Sequence, residues 1–485
     1  MVFLTFFSNI WFSNIIMSFL VFYLLVAIFF AAHFSCCDIF GKPILIKSFN
    51  LFSSFVIILL FWLFCFDFCS SDKLFFFAQN FQMLLFFFVF FVLCCSYDFI
   101  VAKKIIKYEY DLLFIFVIFS GTCLIFCDEF LLVYLAIELL SLSLYTFATF
   151  NRNSEFSSEA GLKYFVFGGL MSCFLLFGFC LIYLHFGSIS FELLFSVTNF
   201  GYNYLVFCGF FFLFCVLMFK IGAAPFHFWL CDVYEGAILS VTMLFASAPK
   251  IVLFGLLLKL CFFVMVGYSN IWSSFLGISA MFSIIVGSIS AIYQKRLKRL
   301  FAYSTIAHTG FILLAFLCNS LDGSKSLIFY ILIYSCLTII TFSVLINIAI
   351  KTPIQPKYLI NLATVGSKNY IFASTFALII LSIAGIPPLA GFFSKFFILF
   401  SVISSEYYFI AMTIVIFSSI ACFYYIRLVK ILFFVKNSKN SLWFTNKSQQ
   451  NNEIIIGSFL FFIIFYYFFP NFVIDFSVVV SLLMF

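Results

Sequence analysis

Charged residues are scarce in this chain, making up 9% of its 485 residues, whereas hydrophobic residues make up 66%. A soluble domain carries about 25% charged residues, because its surface must be solvated. The shortage excludes a soluble globular protein of this size. Lipid hydrocarbon must therefore surround most of the folded chain. The length of the chain then sets a number of membrane spans rather than a number of globular domains.

The chain also lacks the residue spacings of common metal sites. None of its 17 cysteines forms a Cys-x-x-Cys pair, and it has only four histidines. Cys65 and Cys69, like Cys123 and Cys127, share a helix face but have no nearby histidines to complete a zinc or iron–sulfur site. We therefore expect no bound metal, and we interpret the thiols as small apolar side chains.

Basic residues are missing from the first nine positions of the sequence. Transit peptides and signal peptides both carry positive charge there, so neither is indicated. Phenylalanine is unusually frequent, at 85 residues. We interpret this bias as replacement of Leu and Ile on apolar surfaces in an AT-rich genome. Together these features favour a chain that is made inside an organelle.

Hydrophobic stretches long enough to cross a bilayer recur along the whole sequence. About fourteen are predicted, and the boundary between the fourth and fifth is the least distinct. They cover residues 11–32, 48–66, 74–99, 110–127, 129–150, 161–185, 203–230, 237–262, 268–291, 300–318, 326–350, 369–400, 406–434 and 454–483.

The basic residues alternate with these spans. Loops after odd-numbered spans are basic, with Lys42, Lys47, Lys103, Lys104, Lys107, Arg152, Lys295, Arg296, Lys298, Arg299, Lys351, Lys357, Lys436 and Lys439. Loops after even-numbered spans carry little beyond Lys73 and Lys325 beside acids such as Asp128 and Glu406. The positive-inside rule then places the basic loops in the matrix or cytoplasm and both termini outside. The net charge of +7 indicates topology and not nucleic-acid binding.

Several ionisable residues lie inside the predicted spans. A charge at mid-bilayer costs about 2.5–3.5 kcal/mol, and such a residue usually marks an ion path. The candidates are Glu138, Lys220, Lys250, Lys395, Lys163 near the start of its span, and His308. Burial disfavours the charged form of an amine, so a buried lysine can release and rebind a proton. Glu138 and Lys220 also admit a purely structural interpretation, as an ion pair between helices.

Lys259 follows Lys250 by nine residues in the same predicted span. That spacing places it about 13 Å further along the helix and half a turn around it. We therefore expect its side chain to extend toward the outer interface rather than to join the buried lysines.

Prolines interrupt two spans that lie five spans apart. Pro225 breaks the seventh span, and Pro387–Pro388 break the twelfth. Broken helices at matching positions are typical of transporters with inverted repeats. We predict an all-α polytopic membrane protein with two inverted five-helix repeats, each containing a broken helix. The predicted units are 1–108 with three helices, 109–265 and 266–435 as the repeats, and 436–485 as a polar loop and C-terminal helix.

The residues around these charges resemble the antiporter-like membrane subunits of respiratory complex I. The resemblance covers about residues 110–435 and rests on five runs taken together. They are Tyr134–Leu139, Glu159–Phe165, Pro225–Trp229, Lys298–Ile306 and Gly385–Lys395. The run Asp232–Gly236 resembles one branch of that family. Thr305 and Ala307 depart from the family pattern, where serine is common.

The resemblance implies a function in proton translocation. Glu138 and Lys220 would form a modulating pair beside Lys163, with Lys250 at the centre and Lys395 on the exit side. His227 and His308 complete the implied relay. The flavin, the iron–sulfur clusters and ubiquinone would belong to other subunits of the complex, with no cofactor in this chain. Neighbouring antiporter-like subunits and membrane lipids would be its partners, in the mitochondrial inner membrane.

Two other functions stay open at this level. A stand-alone cation/proton antiporter shares the broken helices and the buried lysines. A passive scaffold would hold neighbouring subunits without moving protons, although intramembrane lysines argue against it.

Overall fold

The computed structural model describes residues 73–103, 109–191, 194, 204–351, 357–363, 369–435 and 450–485. The predicted spans at 11–32 and 48–66 lie outside these residues, as does most of the polar stretch before the last span. Lys42, Lys47, Lys104, Lys107, Lys436 and Lys439 also lie outside them.

The described residues form fifteen α-helices in an all-α membrane fold. In chain order they are α1 (Lys73–Lys103), α2 (Glu109–Phe126), α3 (Phe130–Ala148), α4 (Glu155–Phe186), α5 (Tyr204–Ile221), α6 (Phe228–Gly236), α7 (Leu239–Lys259), α8 (Ser269–Tyr293), α9 (Leu297–Leu317), α10 (Leu321–Lys351), α11 (Tyr370–Ala384), α12 (Ala390–Ser404), α13 (Tyr408–Phe434), α14 (Gln450–Phe465) and α15 (Asn471–Leu482). Short π and 3₁₀ segments connect α7 to α8.

Ten helices in the described ranges are long and apolar enough to span a membrane. They coincide with predicted spans, with ends that differ by up to nine residues. No strand forms in the described ranges, where extended pairing is limited to two isolated bridges. The division into units at residues 108, 265 and 435 stays a prediction.

Two spans are discontinuous, as the prolines predict. The first consists of α5 and α6, and the second consists of α11 and α12. Gly222 and Gly385 follow the first segments with φ of 80° and 86°, a left-handed conformation that favours glycine. The peptide bonds before Pro225 and Pro388 are cis.

The C-terminal span differs from its prediction. The sequence predicts one helix over 454–483, but the structure shows α14 and α15 separated by residues 466–470. Pro470 explains the break, because it has no N–H to donate into the preceding helix and its ring clashes with the turn before it. The chain therefore contains a third discontinuous span within its described residues.

The centre of the fold is α7, all of whose residues are buried. Helices α9 and α10 are almost equally enclosed, whereas fewer than a third of the residues in the apolar parts of α4 and α13 are buried. Helices α8 and α9 approach closely at Gly287, where an added Cβ would stand 2.6 Å from the Ala307 nitrogen. Small residues permit such approaches between membrane helices.

Loop contacts agree with the predicted topology. Leu297 N donates to Lys357 O at 3.0 Å, so two predicted basic loops lie together. On the opposite side, Phe191 N donates to Asp128 O at 2.9 Å. We refer to these two ends of the bundle as the basic side and the acidic side.

Candidate functional site

Lys250 lies at the centre of α7, directly after Pro249. The residue is 4% exposed, and its Nζ donates to the Tyr334 hydroxyl at 3.0 Å. The same Nζ stands 5.2 Å from the centroid of the Tyr334 ring. Within the described residues no carboxylate forms an ion pair with it. A neutral hydroxyl stabilises a buried ammonium less than a carboxylate does, so Lys250 can exchange a proton.

Lys220 occupies the last turn of α5, just before the first helix break. Its Nζ lies 3.4 Å from the Tyr145 hydroxyl. Lys220 and Lys250 line one cavity of about 10 Å³ together with Tyr164 and Tyr234. A cavity of that size is close to what one water molecule needs.

Glu138 does not pair directly with Lys220. The ion pairs of the described residues lie elsewhere, and Glu138 Oε1 is buried without a hydrogen-bond partner. Tyr145 follows Glu138 by two turns of α3, and helical tyrosines point back toward the N-terminus. The side-chain group that Lys220 contacts is the hydroxyl of Tyr145. An ion pair between helices, which the structural interpretation of Glu138 and Lys220 requires, is absent from this conformation among the described residues. Their role as a modulating pair stays a prediction.

His308 on α9 is held by two tyrosines from different helices. Its Nδ1 lies 2.7 Å from the Tyr330 hydroxyl, and its Nε2 lies 3.2 Å from the Tyr425 hydroxyl. Both ring nitrogens thus face groups that can donate or accept a proton. This arrangement allows the imidazole to pass a proton between its two nitrogens.

Lys395 extends from α12 into the second helix break. Its Nζ donates to Ala384 O at 2.6 Å, at the C-terminal end of α11, where helix carbonyls lack internal partners. A cavity of about 20 Å³ is lined by Lys395, His308 and Tyr334. That volume can hold one water molecule.

These contacts bring four of the predicted residues into one buried row. Lys220 and Lys250 share the first cavity, Tyr334 connects Lys250 to the second cavity, and that cavity adjoins His308 and Lys395. The row crosses from the first helix break to the second. It places titratable side chains and hydroxyls along the centre of the bundle.

Lys163 lies apart from this row. Its Nζ contacts Glu159 at 2.7 Å and Asp232 at 2.9 Å, with a side chain that is 39% exposed. Arg299 contacts Asp232 at 3.0 Å and also contacts Glu235, and Arg296 contacts Glu235. We call these six residues the basic-side cluster. It joins α4 and α6 to the start of α9 around a cavity of about 70 Å³.

His227 is also outside the row. It is half-buried between α5 and α6, stacks on Phe228 at 4.8 Å, and has an Nδ1 without a hydrogen-bond partner. No cavity of the buried row includes it.

Lys259 reaches the acidic side, as its position predicts, but it is not solvated there. The residue is 3% exposed, and its Nζ donates to Cys127 O at 2.6 Å and to Asp128 at 2.8 Å. Lys259 therefore links α7 to the residues that follow α2.

Tyrosines are the functional candidates that sequence reasoning missed. Tyr330 and Tyr334 stand one turn apart within the apolar α10, and Tyr145 stands two turns from Glu138. That spacing is itself a signal, because a hydroxyl at mid-membrane requires a polar partner. No group of three or more potential metal ligands occurs in the described ranges.

Substituting Tyr334 by Phe is expected to slow proton transfer along the row, because the hydroxyl is the group beside Lys250. Losing one hydrogen bond to a charged group costs about 1.5–3 kcal/mol, so the rate of proton transfer should fall roughly tenfold or more. The measurement is the rate of proton movement into vesicles that contain the chain. Tyr268→Phe, a buried tyrosine outside both cavities, is the control. Equal rates in the two variants would contradict the role of Tyr334.

Comparison with known proteins places these features in a family. Residues 127–421 match the family described as NADH:quinone oxidoreductase/Mrp antiporter, TM. The chain is 34% identical over 370 residues to NADH-ubiquinone oxidoreductase chain 2 of Marchantia polymorpha, which covers 75% of this chain and 74% of that protein.

Solved structures share the fold. A chain of respiratory complex I from Thermus thermophilus with bound aureothin aligns with a TM-score of 0.76 and 23% identity, over 95% of this chain and 98% of that one. A chain of the Mrp complex from Dietzia sp. DQ12-45-1b aligns with a TM-score of 0.80 and 15% identity, over 97% of both chains.

Proposed function

We propose that this chain is a proton-translocating subunit in the membrane arm of NADH:ubiquinone oxidoreductase. The chain belongs to the NADH:quinone oxidoreductase/Mrp antiporter family of transmembrane proteins. It corresponds to the relatives named chain 2. As part of an enzyme complex it contributes proton movement, while the redox chemistry takes place in other subunits.

One observation carries this proposal: the buried row from Lys220 through Lys250 and Tyr334 to His308 and Lys395. Burial among apolar groups destabilises the charged form of an amine, so each lysine can alternate between charged and neutral forms. The cavities between them admit single water molecules, which can connect groups that do not touch. A proton can therefore move stepwise without a permanent open pore.

In this scheme the carboxylate of Glu138 controls the proton affinity of Lys220. When a counter-charge comes nearer to Lys220, that lysine holds its proton more firmly, and when the counter-charge withdraws the proton passes on to Lys250. Moving one charge against 100 mV costs about 2.3 kcal/mol. Changes of a few kcal/mol in proton affinity along the row are sufficient to drive that step.

The proposal includes the surroundings of the chain. The subunit lies in the mitochondrial inner membrane beside other antiporter-like subunits and lipids. Flavin, iron–sulfur clusters and ubiquinone are held elsewhere in the complex. The Mrp-type antiporter is the second candidate, supported by the shared family and fold.

Purification of a tagged form of the chain distinguishes these candidates. We expect NADH:ubiquinone oxidoreductase activity to co-purify with the tag and to acidify the vesicle lumen during NADH oxidation. A chain that purifies without this activity, but exchanges Na⁺ or K⁺ for protons along an imposed pH gradient, would favour the antiporter. Monovalent cation exchange is therefore measured in the same vesicles.

A further inference from the structure

The second half of the first broken span, α6, is a short helix with two opposite faces. It has nine residues and is separated from α5 by the break at 222–227. Leu230 and Tyr234 stand one turn apart on α6 and line the first cavity of the buried row. Asp232 and Glu235 are also about one turn apart, but they lie on the other side of the helix. We call these sides the cavity face and the charged face of α6.

The beginning of α9 holds α6 by the charged face. Within the basic-side cluster, Arg296 and Arg299 bind the two carboxylates of that face. Lys298 donates its Nζ to the backbone carbonyl of Glu235 at 3.4 Å and to that of Ala237. Both carbonyls lie at the C-terminal end of α6, where helix carbonyls lack partners within the helix. We call the contacts of these three basic residues with α6 the clamp.

The clamp also accounts for the concentration of positive charge at the beginning of α9. This helix has a basic residue at its N-cap and two more in its first turn, with no acidic residue there to offset them. The N-terminus of a helix carries a partial positive charge, so cations at that end are unfavourable. The carboxylates of α6 and the partial negative charge at its C-terminal end compensate for them. The two helices are therefore electrostatically complementary.

The cavity face of α6 carries a hydroxyl beside the first step of the row. Tyr234 is 1% exposed, and its hydroxyl makes no hydrogen bond within the described residues. A buried hydroxyl without a partner is costly, which indicates a water molecule next to it. The first cavity, of about 10 Å³, also adjoins Lys220 and Lys250. A water molecule there would connect the hydroxyl with both amines.

We propose that the clamp positions α6 for the proton step between Lys220 and Lys250, and that Lys298 is a positioning residue that carries no proton itself. The inference rests on the proposed function. Because the break removes helical continuity with α5, contacts with other helices decide where the cavity face lies. The clamp supplies the charged contacts from α9. Helix α6 belongs to the first predicted repeat and α9 to the second, so the second repeat sets the geometry of a step in the first.

A thiol on α6 itself reports whether the clamp holds. Cys231 is 6% exposed and lies between the two faces, so in the assembled complex it should react slowly with N-ethylmaleimide. Lys298→Met removes the donor, and labelling of Cys231, measured by mass spectrometry, should rise about tenfold because local opening becomes easier. Lys298→Arg keeps a cation that can donate to both carbonyls and should leave Cys231 protected. Lys298→Gln, which lacks the charge, replaces Lys298→Met if assembly fails.

Lys351→Met is the matched control for the clamp. Lys351 contacts Glu453 at 2.8 Å, links α10 to α14, and lines neither cavity of the row. Labelling of Cys231 should stay at the parent level in this variant, and the fully buried Cys261 should stay protected in all of them. Unchanged labelling of Cys231 in Lys298→Met, or an equal rise in Lys351→Met, would overturn the clamp.

Proton pumping distinguishes a positioning residue from a proton carrier. Arginine stays protonated in proteins, so Lys298→Arg should pump protons at close to the parent rate. Lys298→Met should pump about fivefold more slowly, because the groups of the first step are misplaced. The measurement is NADH-driven acidification in vesicles. A complex with Lys298→Arg that keeps Cys231 protected but does not pump would show that Lys298 carries protons, and the positioning role would be wrong.

Tyr234→Phe tests whether the clamp acts through the cavity face. This change removes the hydroxyl and leaves the clamp intact, so pumping should slow while Cys231 stays protected. In that background Lys298→Met should slow pumping by less than about twofold more, because both changes affect the same step. Two losses that multiply in full would contradict this connection. Labelling needs no turnover, so failure of the clamp is distinguishable from failure of the proton relay, which is tested at Lys250.

Discussion

Replacing Lys250 by Met is expected to abolish proton transfer through this chain while leaving the complex assembled. Methionine fills similar space in the enclosed α7 but carries no exchangeable proton, so the row is interrupted at its centre. Coupled turnover should fall at least tenfold, which corresponds to a barrier increase of about 1.4 kcal/mol or more. The measurement is the initial rate of NADH-driven acidification in vesicles, together with the proton-to-electron ratio.

Lys259→Met is the matched control, because it makes the same change in the same helix at a lysine held by Asp128. It weakens a structural contact, so the yield of assembled complex should fall while the proton-to-electron ratio is kept. Normal pumping by an assembled complex that carries Lys250→Met would contradict the proposed proton relay. A passive scaffold would then explain the chain better.

Substituting Glu138 by Gln is expected to depress coupled pumping, although no direct ion pair is lost. The exchange keeps size and polarity but removes the charge. Glu138 acts on Lys220 electrostatically without contact. A loss of about 1.4 kcal/mol of such an interaction in the transition state corresponds to about tenfold in rate. The pumping rate and the NADH oxidation rate should both be measured, with and without an uncoupler.

Glu138→Asp should recover part of the pumping, because it restores the charge at a shorter reach. The control is Glu155→Gln in the exposed first turn of α4, which should pump normally. Full pumping by Glu138→Gln at the parent proton-to-electron ratio would contradict a controlling role for this carboxylate.

The fold could be predicted from the sequence where simple physical rules dominate. Hydrophobic length defines the spans, and Pro225 and Pro387–Pro388 define two breaks, because each of these signals is local. Lys220, Lys250 and Lys395 stood out for the same reason: a charge in an apolar run is costly wherever the helix packs. The third break at Pro470 escaped prediction, although the same proline rule applies to it.

The connections between these residues required three-dimensional information. Lys250 and Tyr334 are 84 residues apart, and no spacing rule relates them. Lys163 shares the apolar context of the other lysines in the sequence, yet it joins the basic-side cluster because Asp232 from α6 lies beside it. Lys220 contacts Tyr145, which lies 75 residues away in the sequence, and no spacing rule relates the two residues.

The enclosure of α7 has a consequence for how the chain is made. This helix carries a proline and two lysines and touches no lipid in the folded protein. The helix that contacts Lys250, α10, is synthesised more than sixty residues later. During translation, α7 therefore leaves the ribosome before the partner of Lys250 has been made. The final packing of α7 can form only after α10 has been inserted, so the first part of the chain depends on the second for its folded structure.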